Sequence, residues 1–322
     1  MKILVAPLNW GLGHASRCVP LVHRLMSEGH EVILGGDGDS LTLLRRHFPK
    51  QRYVYLAPLN LRYSAGRRQV WAMVKALPKI IHWACQDHAM LAAVLREEHI
   101  DQVISDNRFG LYNRHTECIY ITHQLHIMLP AGWRWLEPIA ARMHARVYTR
   151  FNKVWIPDYE EREKSLAGKL SHPADIRCPM SNIEYVGPLS RFVSSSLQGW
   201  VEVDSYDIVA VLSGLEPHRT LLEKEILARY QDSEDKVLIV QGLLNRPNTR
   251  IKRGNITIVP HMRDEELASA LKSAKHIIAR SGYSTIMDLA ALDLLQKAEM
   301  IPTPGQPEQE YLATWIEQKA LF

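Results

Sequence analysis

Short runs of β-branched and aliphatic residues alternate with longer stretches of helical periodicity through all 322 residues of this chain, and nothing else in the sequence narrows its fold so far. A strand followed by a helix before the next strand cannot close a hairpin. The pattern therefore predicts repeated βα units around mostly parallel sheets, an α/β fold. Strands are expected over Lys2-Ala6, Glu31-Gly35, Tyr53-Leu56, Gln102-Ser105 and Ile119-Thr122, and again over Asp207-Leu212, Val237-Gln241, Ile256-Val259 and His276-Ala279. Between the two sets, Pro188, the Ser194-Ser195-Ser196 run and Gly199 interrupt any apolar periodicity, which reads as a linker. The chain is long enough for two hydrophobic cores, and the expected division is 1–190, a linker over 191–204, and 205–322.

Composition removes several function classes. A hydrophobic fraction of 46% and a charged fraction of 23% are those of an ordinary globular chain. The formal net charge of +4 suits anionic small ligands, yet no Lys/Arg run or recognition module marks a nucleic-acid surface, so no nucleic-acid partner is expected. Cys18, Cys85, Cys118 and Cys178 are widely spaced with no Cys-x-x-Cys pair, which predicts buried thiols in a reducing compartment. Lys2 runs straight into Ile3-Leu4-Val5-Ala6, too short for the apolar region of a signal peptide, and no stretch reaches the length of a spanning helix. A cytoplasmic location is the expectation. Histidines and acids show no ligand spacing, so no metal site is expected.

Both halves open with a strand, a glycine-bearing loop and a helix, an arrangement that turns backbone N–H groups and a positive helix end toward a ligand. After the first strand comes Asn9-Trp10-Gly11-Leu12-Gly13-His14-Ala15-Ser16-Arg17, then Val19, Val22, Leu25 and Met26 at helical spacing up to Gly29. Ser16 is the expected N-cap, and Pro20 is tolerable only if the helix starts close before it, since first-turn amides have no helical partners to lose. His14 then stands at the carboxyl edge of the sheet, where open α/β folds bind ligands. An imidazole is the side chain best poised to take a hydroxyl proton near neutral pH. Asp106, closing its strand in Ser105-Asp106-Asn107-Arg108, is the expected partner. The plainer readings are a histidine bonding a neighbouring loop and an acid capping the following turn. His123 and Gln124 follow the Ile119-Thr122 strand at the same edge, as acceptor ligands or as ordinary loop residues. A second reading of the loop is a dinucleotide fingerprint, Gly11-x-Gly13-x-x-Ser16 with Asp37 as the ribose acid. It lacks the third glycine and gives no reason for a second glycine loop in the other half.

In the second half, Ser213-Gly214-Leu215-Glu216-Pro217-His218-Arg219-Thr220 turns from a strand into a helix with Leu222, Ile226, Leu227 and Tyr230 on one face. Loop amides and a forked Arg219 would suit a pyrophosphate, against the alternative of an ordinary turn with a surface arginine. Further on, Arg280-Ser281-Gly282 follows a strand, and Ser284 or Thr285 is expected to cap the next helix, so hydroxyls and amides converge where phosphate can sit. Asp288, one turn inside that helix, is either a carboxylate for a sugar diol or a dipole-facing surface acid.

The spacing Arg280-Ser281-Gly282-x-x-Thr285-x-x-Asp288, followed by Pro302-Thr303-Pro304-Gly305-Gln306-Pro307-Glu308-Gln309, resembles the donor domain of GT-B glycosyltransferases. The likeness is to relatives of the UDP-N-acetylglucosamine transferase of peptidoglycan synthesis, from which the chain differs in carrying Asp288 where that family has glutamate. The resemblance implies two Rossmann-like domains facing a cleft. It implies phosphate contacts from Ser281, Gly282 and Thr285, ribose at Asp288, and the donor sugar at Gln306 and Gln309. Asn255-Ile256-Thr257-Ile258-Val259-Pro260-His261-Met262 resembles the strand and loop that touch the base through backbone atoms, making Val259, His261 and Met262 donor contacts. Ser213, Gly214, Arg219, Arg280 and Ser284 complete the expected donor set. Gly11, Gly13, Arg17, His123 and Gln124 form the expected acceptor set, with His14 and Asp106 catalytic.

The implied reaction is metal-independent, inverting transfer of a hexose or N-acetylhexosamine from a UDP-sugar to a glycan, lipid-carrier or small-molecule acceptor, with no cofactor. The alternatives are a nucleotide-sugar epimerase or hydrolase of the same architecture and a non-catalytic nucleotide-sugar binder. In this class a last helix crosses back to the first domain, so the stop at Leu321-Phe322 reads as a shortened C-terminus. Trp71, Val74 and Ile81, and Trp133 and Trp135 with the basic stretch from Arg134 to Arg150, are either a peripheral contact with the inner face of the membrane or core helices with a solvated cationic side.

Overall fold

The computed structural model describes residues 1–59, 69–173, 182–193 and 201–320. Cys178 and the 194–200 part of the expected linker lie outside the described residues, as do the side chains of Trp71 and Val74. The chain divides into two compact units, 1–9 with 14–189 and 10–13 with 190–322.

In chain order the first unit runs β1 (Lys2–Pro7), α1 (Gly13–Ser27), β2 (Glu31–Gly36), α2 (Gly38–His47), β3 (Tyr53–Tyr55), α3 (Gln69–Glu97), β4 (Gln102–Asp106), β5 (Glu117–Ile121), α4 (Glu137–Tyr148), β6 (Lys153–Ile156) and β7 (Ile183–Tyr185). A short 3-10 helix, Ala131–Leu136, leads into α4. Among the described residues these strands form one sheet in the order β3-β2-β1-β4-β5-β6-β7, parallel throughout. Because helices cover such a sheet on both faces, its central strands are apolar on both sides rather than alternating. Ile3, Leu4, Val5 and Ala6 are all buried, as are Val103 and Ile104.

The second unit runs β8 (Ile208–Val211), α5 (His218–Tyr230), β9 (Val237–Val240), β10 (Ile251–Arg253), β11 (Ile256–Val259), α6 (Asp264–Ser273), β12 (His276–Arg280), α7 (Tyr283–Ala291), β13 (Ala298–Ile301) and α8 (Pro307–Ala320). Its sheet has the order β10-β11-β9-β8-β12-β13, parallel except where β10 turns back antiparallel on β11. One apolar cluster packs Leu267 and Leu271 of α6 and Leu289 of α7 against one face, and another packs Leu222, Ile226 and Tyr230 of α5 against the other.

Three local expectations are corrected. Helix α1 begins at Gly13, not after Ser16, because Gly11 at φ +78° makes the turn that releases the chain into the helix. Pro20 therefore lies in the helix interior, where its nitrogen donates nothing to the Ser16 carbonyl. Helix α7 takes Gly282 as its N-cap, with no side-chain cap bond from Ser284 or Thr285, which lie in its first turn. Cys85 is exposed on α3, whereas Cys18 and Cys118 are buried.

Candidate active site

The order of the first sheet sets β1 between β2 and β4, so the winding reverses there, and open α/β sheets bind ligands beyond the strand ends at such a point. His14 follows β1 in the first turn of α1, and Asp106 closes β4 as the register partner of Pro7. His14 Nδ1 lies 2.8 Å from Asp106 Oδ1. Starting α1 at Gly13 puts His14 and Arg17 on one helix face, three residues apart. Arg17 donates Nε to Asp106 Oδ2 at 2.5 Å and Nη2 to Oδ1. Its Nη2 is also 2.9 Å from His14 Nδ1, and its Nη1 is 3.3 Å from His123 Nδ1.

Arg17 was expected among the acceptor ligands. Its side chain is instead 1% exposed and forked onto Asp106, which is 0% exposed, while His14 keeps 17%. Burial pushes the Asp106 carboxyl up, but Arg17 and His14 together outweigh it and hold it well below the usual carboxylate range. Burial pushes the His14 imidazole below its ordinary value, with Asp106 opposing and Arg17 reinforcing. The result is an ionised carboxylate beside a neutral ring, the state a general base needs.

The turn that aims Asp106 is pinned by its own neighbours. Asn107 takes the left-handed conformation at φ 56° and accepts the Tyr120 hydroxyl at 2.7 Å, and Ser105 Oγ donates to the Arg108 carbonyl at 2.7 Å. Arg108 is fully buried, forked onto Asp87 at 2.9 and 2.7 Å, and donates to Asp37 at 2.8 Å and the Ala57 carbonyl at 2.6 Å. Asp37 also accepts from Asn9 Nδ2 at 2.9 Å, so both its oxygens are held within the unit rather than presented to a ribose. His123 is buried and Gln124, half-buried, anchors its backbone amide on Thr122 Oγ1 at 3.1 Å.

In the second sheet β8 occupies the corresponding place, between β9 and β12, and the loops after β8 and β12 carry Ser213-Gly214 and Arg280-Ser281-Gly282. Gly214 sits at φ +93°, open to glycine at no steric cost. Arg280 is 5% exposed and donates Nη2 to the His218 carbonyl at 2.9 Å and Nη1 to the Pro302 carbonyl at 3.0 Å. Its Nε and His218 Nε2 are buried with no hydrogen-bond partner, and among the described residues Arg280 has no carboxylate at ion-pair distance. A buried cation with an unused donor is a place for an anion.

Several expected donor contacts turn inward instead. Ser281 Oγ donates to the Gln309 carbonyl at 2.8 Å, while the Gln309 side chain braces its own loop, accepting the Thr303 amide at 2.8 Å and donating to Gln306 Oε1 at 2.7 Å. Arg219 is neutralised by Glu216 and Glu223, each with a contact at 2.8 Å, so its fork is already filled. Asp288 accepts from Ser190 Oγ at 2.7 Å and Arg191 Nε at 3.2 Å, and burial pushes its carboxyl up although Arg191 and Ser190 pull it down. The carbonyls of Val259 and Pro260 accept the amides of Gln241 and Leu243 at 2.9 and 2.8 Å, ahead of half-buried His261 and Met262.

Arg191 was missed, having been assigned to the linker. It bridges Asp288 and Asp264, the latter at 3.1 Å, and the one signal for it was that it is the sole charge between Val186 and Gln198. Among the described residues no group of three or more His, Cys, Asp or Glu is placed to hold a metal ion, and no helix is long and apolar enough to cross a membrane.

No family model matches the chain. An uncharacterized glycosyltransferase of Methanosarcina acetivorans is 23% identical over 335 residues, covering 99% of this chain and 84% of that protein. Among solved structures, MurG of Acinetobacter baumannii superposes with a TM-score of 0.52 at 12% identity, covering 99% of this chain and 83% of that one. A spinosyn rhamnosyltransferase complexed with thymidine diphosphate superposes with a TM-score of 0.55 at 13% identity, covering 99% and 90%. Over nearly its whole length the chain is similar in sequence to a glycosyltransferase, and its fold is that of the GT-B glycosyltransferases.

Proposed function

We propose that this glycosyltransferase moves a hexose or N-acetylhexosamine from a nucleoside-diphosphate sugar to an acceptor hydroxyl, with inversion and without a metal ion. The observation that carries the reading is the 2.8 Å contact of His14 Nδ1 with a buried, ionised Asp106. That contact leaves Nε2 to take the acceptor's proton. The acceptor oxygen then forms a bond to the anomeric carbon as the bond to the diphosphate oxygen breaks, and a single displacement inverts that carbon. The leaving charge would be met by amides of the Gly214 and Gly282 loops, the N-termini of α5 and α7, and Arg280, each well-placed donor contributing on the order of 3 kcal/mol. A UDP-sugar is the favoured donor because the Arg280 to Gln309 spacing resembles that of UDP-sugar transferases. The loop from Val259 to Met262 is assigned to its base.

The same reading includes peripheral membrane contact at the inner face. Trp135, Ile139 and Met143 are 70%, 50% and 45% exposed along one side of α4 and the turn before it, beside exposed Arg134, Arg142 and Arg146. Such a face suits anionic headgroups and acyl chains. Sedimentation with phosphatidylglycerol vesicles, compared with phosphatidylcholine vesicles, checks it.

The donor half is tested first by thermal unfolding with UDP, TDP and GDP. A diphosphate at about 100 times its Kd adds about 2.7 kcal/mol, and no shift with any of them overturns the reading. Diphosphate release from a UDP-sugar in the absence of any acceptor would favour a hydrolase or epimerase instead, and binding without release a non-catalytic binder.

A further inference from the structure

Asp106 comes from β4, whereas His14 and Arg17, which its carboxylate meets, come from α1. Whether the carboxylate reaches His14 Nδ1 at 2.8 Å therefore depends on how the end of β4 is held in its sheet. On one side the Asp106 carbonyl accepts the Leu8 amide at 2.8 Å. On the other the chain turns at once. Asn107 stands at φ 56°, and its amide reaches the Ile121 carbonyl of β5 only at 3.3 Å. The shorter tie there is made by side chains, from the Tyr120 hydroxyl to Asn107 Oδ1 at 2.7 Å. Glycine would make a left-handed turn at no steric cost, and asparagine makes it at less cost than most residues. What asparagine adds over glycine at this position is the oxygen that Tyr120 bonds.

We infer that Asn107 and Tyr120 are positioning residues of the transfer reaction, their bond fixing the turn after Asp106 and with it the carboxylate against His14. The inference rests on the reading of His14 as the base and extends it to a pair that acts through Asp106. Tyr120 is suited to the task. It lies in β5 in register with Ser105, and it is fully buried, where a hydroxyl needs a partner. The rings of Phe109 and Phe151 pack on it, with centroids 6.4 and 4.9 Å away, which holds the phenol in place. The second neighbour of its hydroxyl is His144 Nε2 of α4, at 3.2 Å. Arg17 ties Asp106 to α1, and the Tyr120 bond ties the next residue to β5, so the carboxylate is placed from both sides. Burial raises the Tyr120 phenol and keeps it neutral, so the pair acts on His14 by geometry and not by charge.

The test compares Asn107→Gly, Tyr120→Phe and the double variant. Glycine suits the φ of this turn, so Asn107→Gly is expected to unfold thermally near the wild-type midpoint. With a UDP-sugar its kcat is expected to fall by about 10- to 100-fold while the donor's KM stays unchanged, because the loss lies at the base and not in donor binding. Tyr120→Phe is expected to show the same split, and the double variant to be no slower than the slower single one, since one bond is lost in all three. His144→Leu removes the hydroxyl's other neighbour, leaves the Asn107 bond and is expected to keep kcat. Titration of the His14 ring, followed by NMR of ¹⁵N-histidine-labelled protein and assigned with His14→Gln, adds a readout that needs no turnover. Asp106 favours the charged ring against burial, Arg17 and His123, so drawing the carboxylate away moves the titration in Asn107→Gly to lower pH. Wild-type kcat or an unmoved titration in Asn107→Gly, losses that multiply in the double variant, or a loss in His144→Leu equal to that in Tyr120→Phe overturns the inference. If the wild type turns over no UDP-sugar, the proposed function fails, and the His14 titration alone then decides the positioning role.

Discussion

Asp106→Asn tests whether the carboxylate is chiefly the anchor of a catalytic ring or half of a buried ion pair. Asparagine keeps the shape but removes the charge opposite Arg17, whose side chain is 1% exposed. Its amide nitrogen must also face either an Arg17 N–H or the His14 N–H, donor against donor. Removing one partner of a buried pair costs about 3 to 5 kcal/mol, because the other charge is left without compensation. At the lower figure, a unit of this size loses about 6 to 12 °C in Tm, and the urea midpoint falls by about 1 M or more. Urea unfolding followed by tryptophan fluorescence reads the loss, and adding Arg17→Met completes a double-mutant cycle. With both charges gone, the double variant is expected to be more stable than Asp106→Asn alone, with a coupling energy of about 2 kcal/mol or more. A single-variant loss under about 1 kcal/mol, or an additive cycle, would show that the pair contributes little and refute the reasoning.

Acid stability follows from the same group. The folded-state pKa of Asp106 is depressed, so its contribution is present above the unfolded value, about 3.9, and is lost as pH falls toward the folded value. The wild-type urea midpoint should therefore drop below about pH 4 more steeply than that of Asp106→Asn, and parallel profiles would contradict this. Arg108→Leu leaves Asp87 and Asp37 without their shared cation and is expected to cost about 3 to 5 kcal/mol. Burial already raises the Asp87 pKa against the pull of Arg108, so losing Arg108 raises it further, and the deficit should be larger at pH 8 than at pH 5, as urea melts at the two values will show. His14→Ala should lower turnover of a UDP-sugar by about 10² to 10⁴ while diphosphate-induced thermal stabilisation survives, and near-normal turnover removes His14 from the reaction.

The central strands were legible because strands covered on both faces are written as unbroken apolar runs. Ile256–Val259 was located to the residue, and Lys2–Pro7 and Gln102–Asp106 to within one. The strands β6, β7, β10 and β13 were missed for the converse reason. They are three or four residues long, and exposed or charged positions such as Glu184, Lys252 and Glu299 break their apolar character. His14 and Asp106 could be paired from sequence because each lies just beyond the carboxyl end of a strand. Arg17 as their binder could not, since that follows from starting α1 three residues before Ser16 and so bringing two side chains onto one face. In the second unit the motif spacing was visible, but the inward turn of Ser281, Gln309, Arg219 and Asp288 depends on partners up to 98 residues away that no local pattern encodes.

The borders of the two sheets have a consequence of a different kind. Strands β3, β7 and β10 have three residues each and β13 has four. An open parallel sheet ends in unpaired backbone donors and acceptors that invite a foreign strand, and long flat borders seed aggregation. Here an incoming chain would find only one or two bonds at any border, and at β10 it would meet exposed Lys252 and Arg253 as well. The brevity that hid β7, β10 and β13 from a reading of the sequence leaves a second molecule little to add onto while the first is still folding.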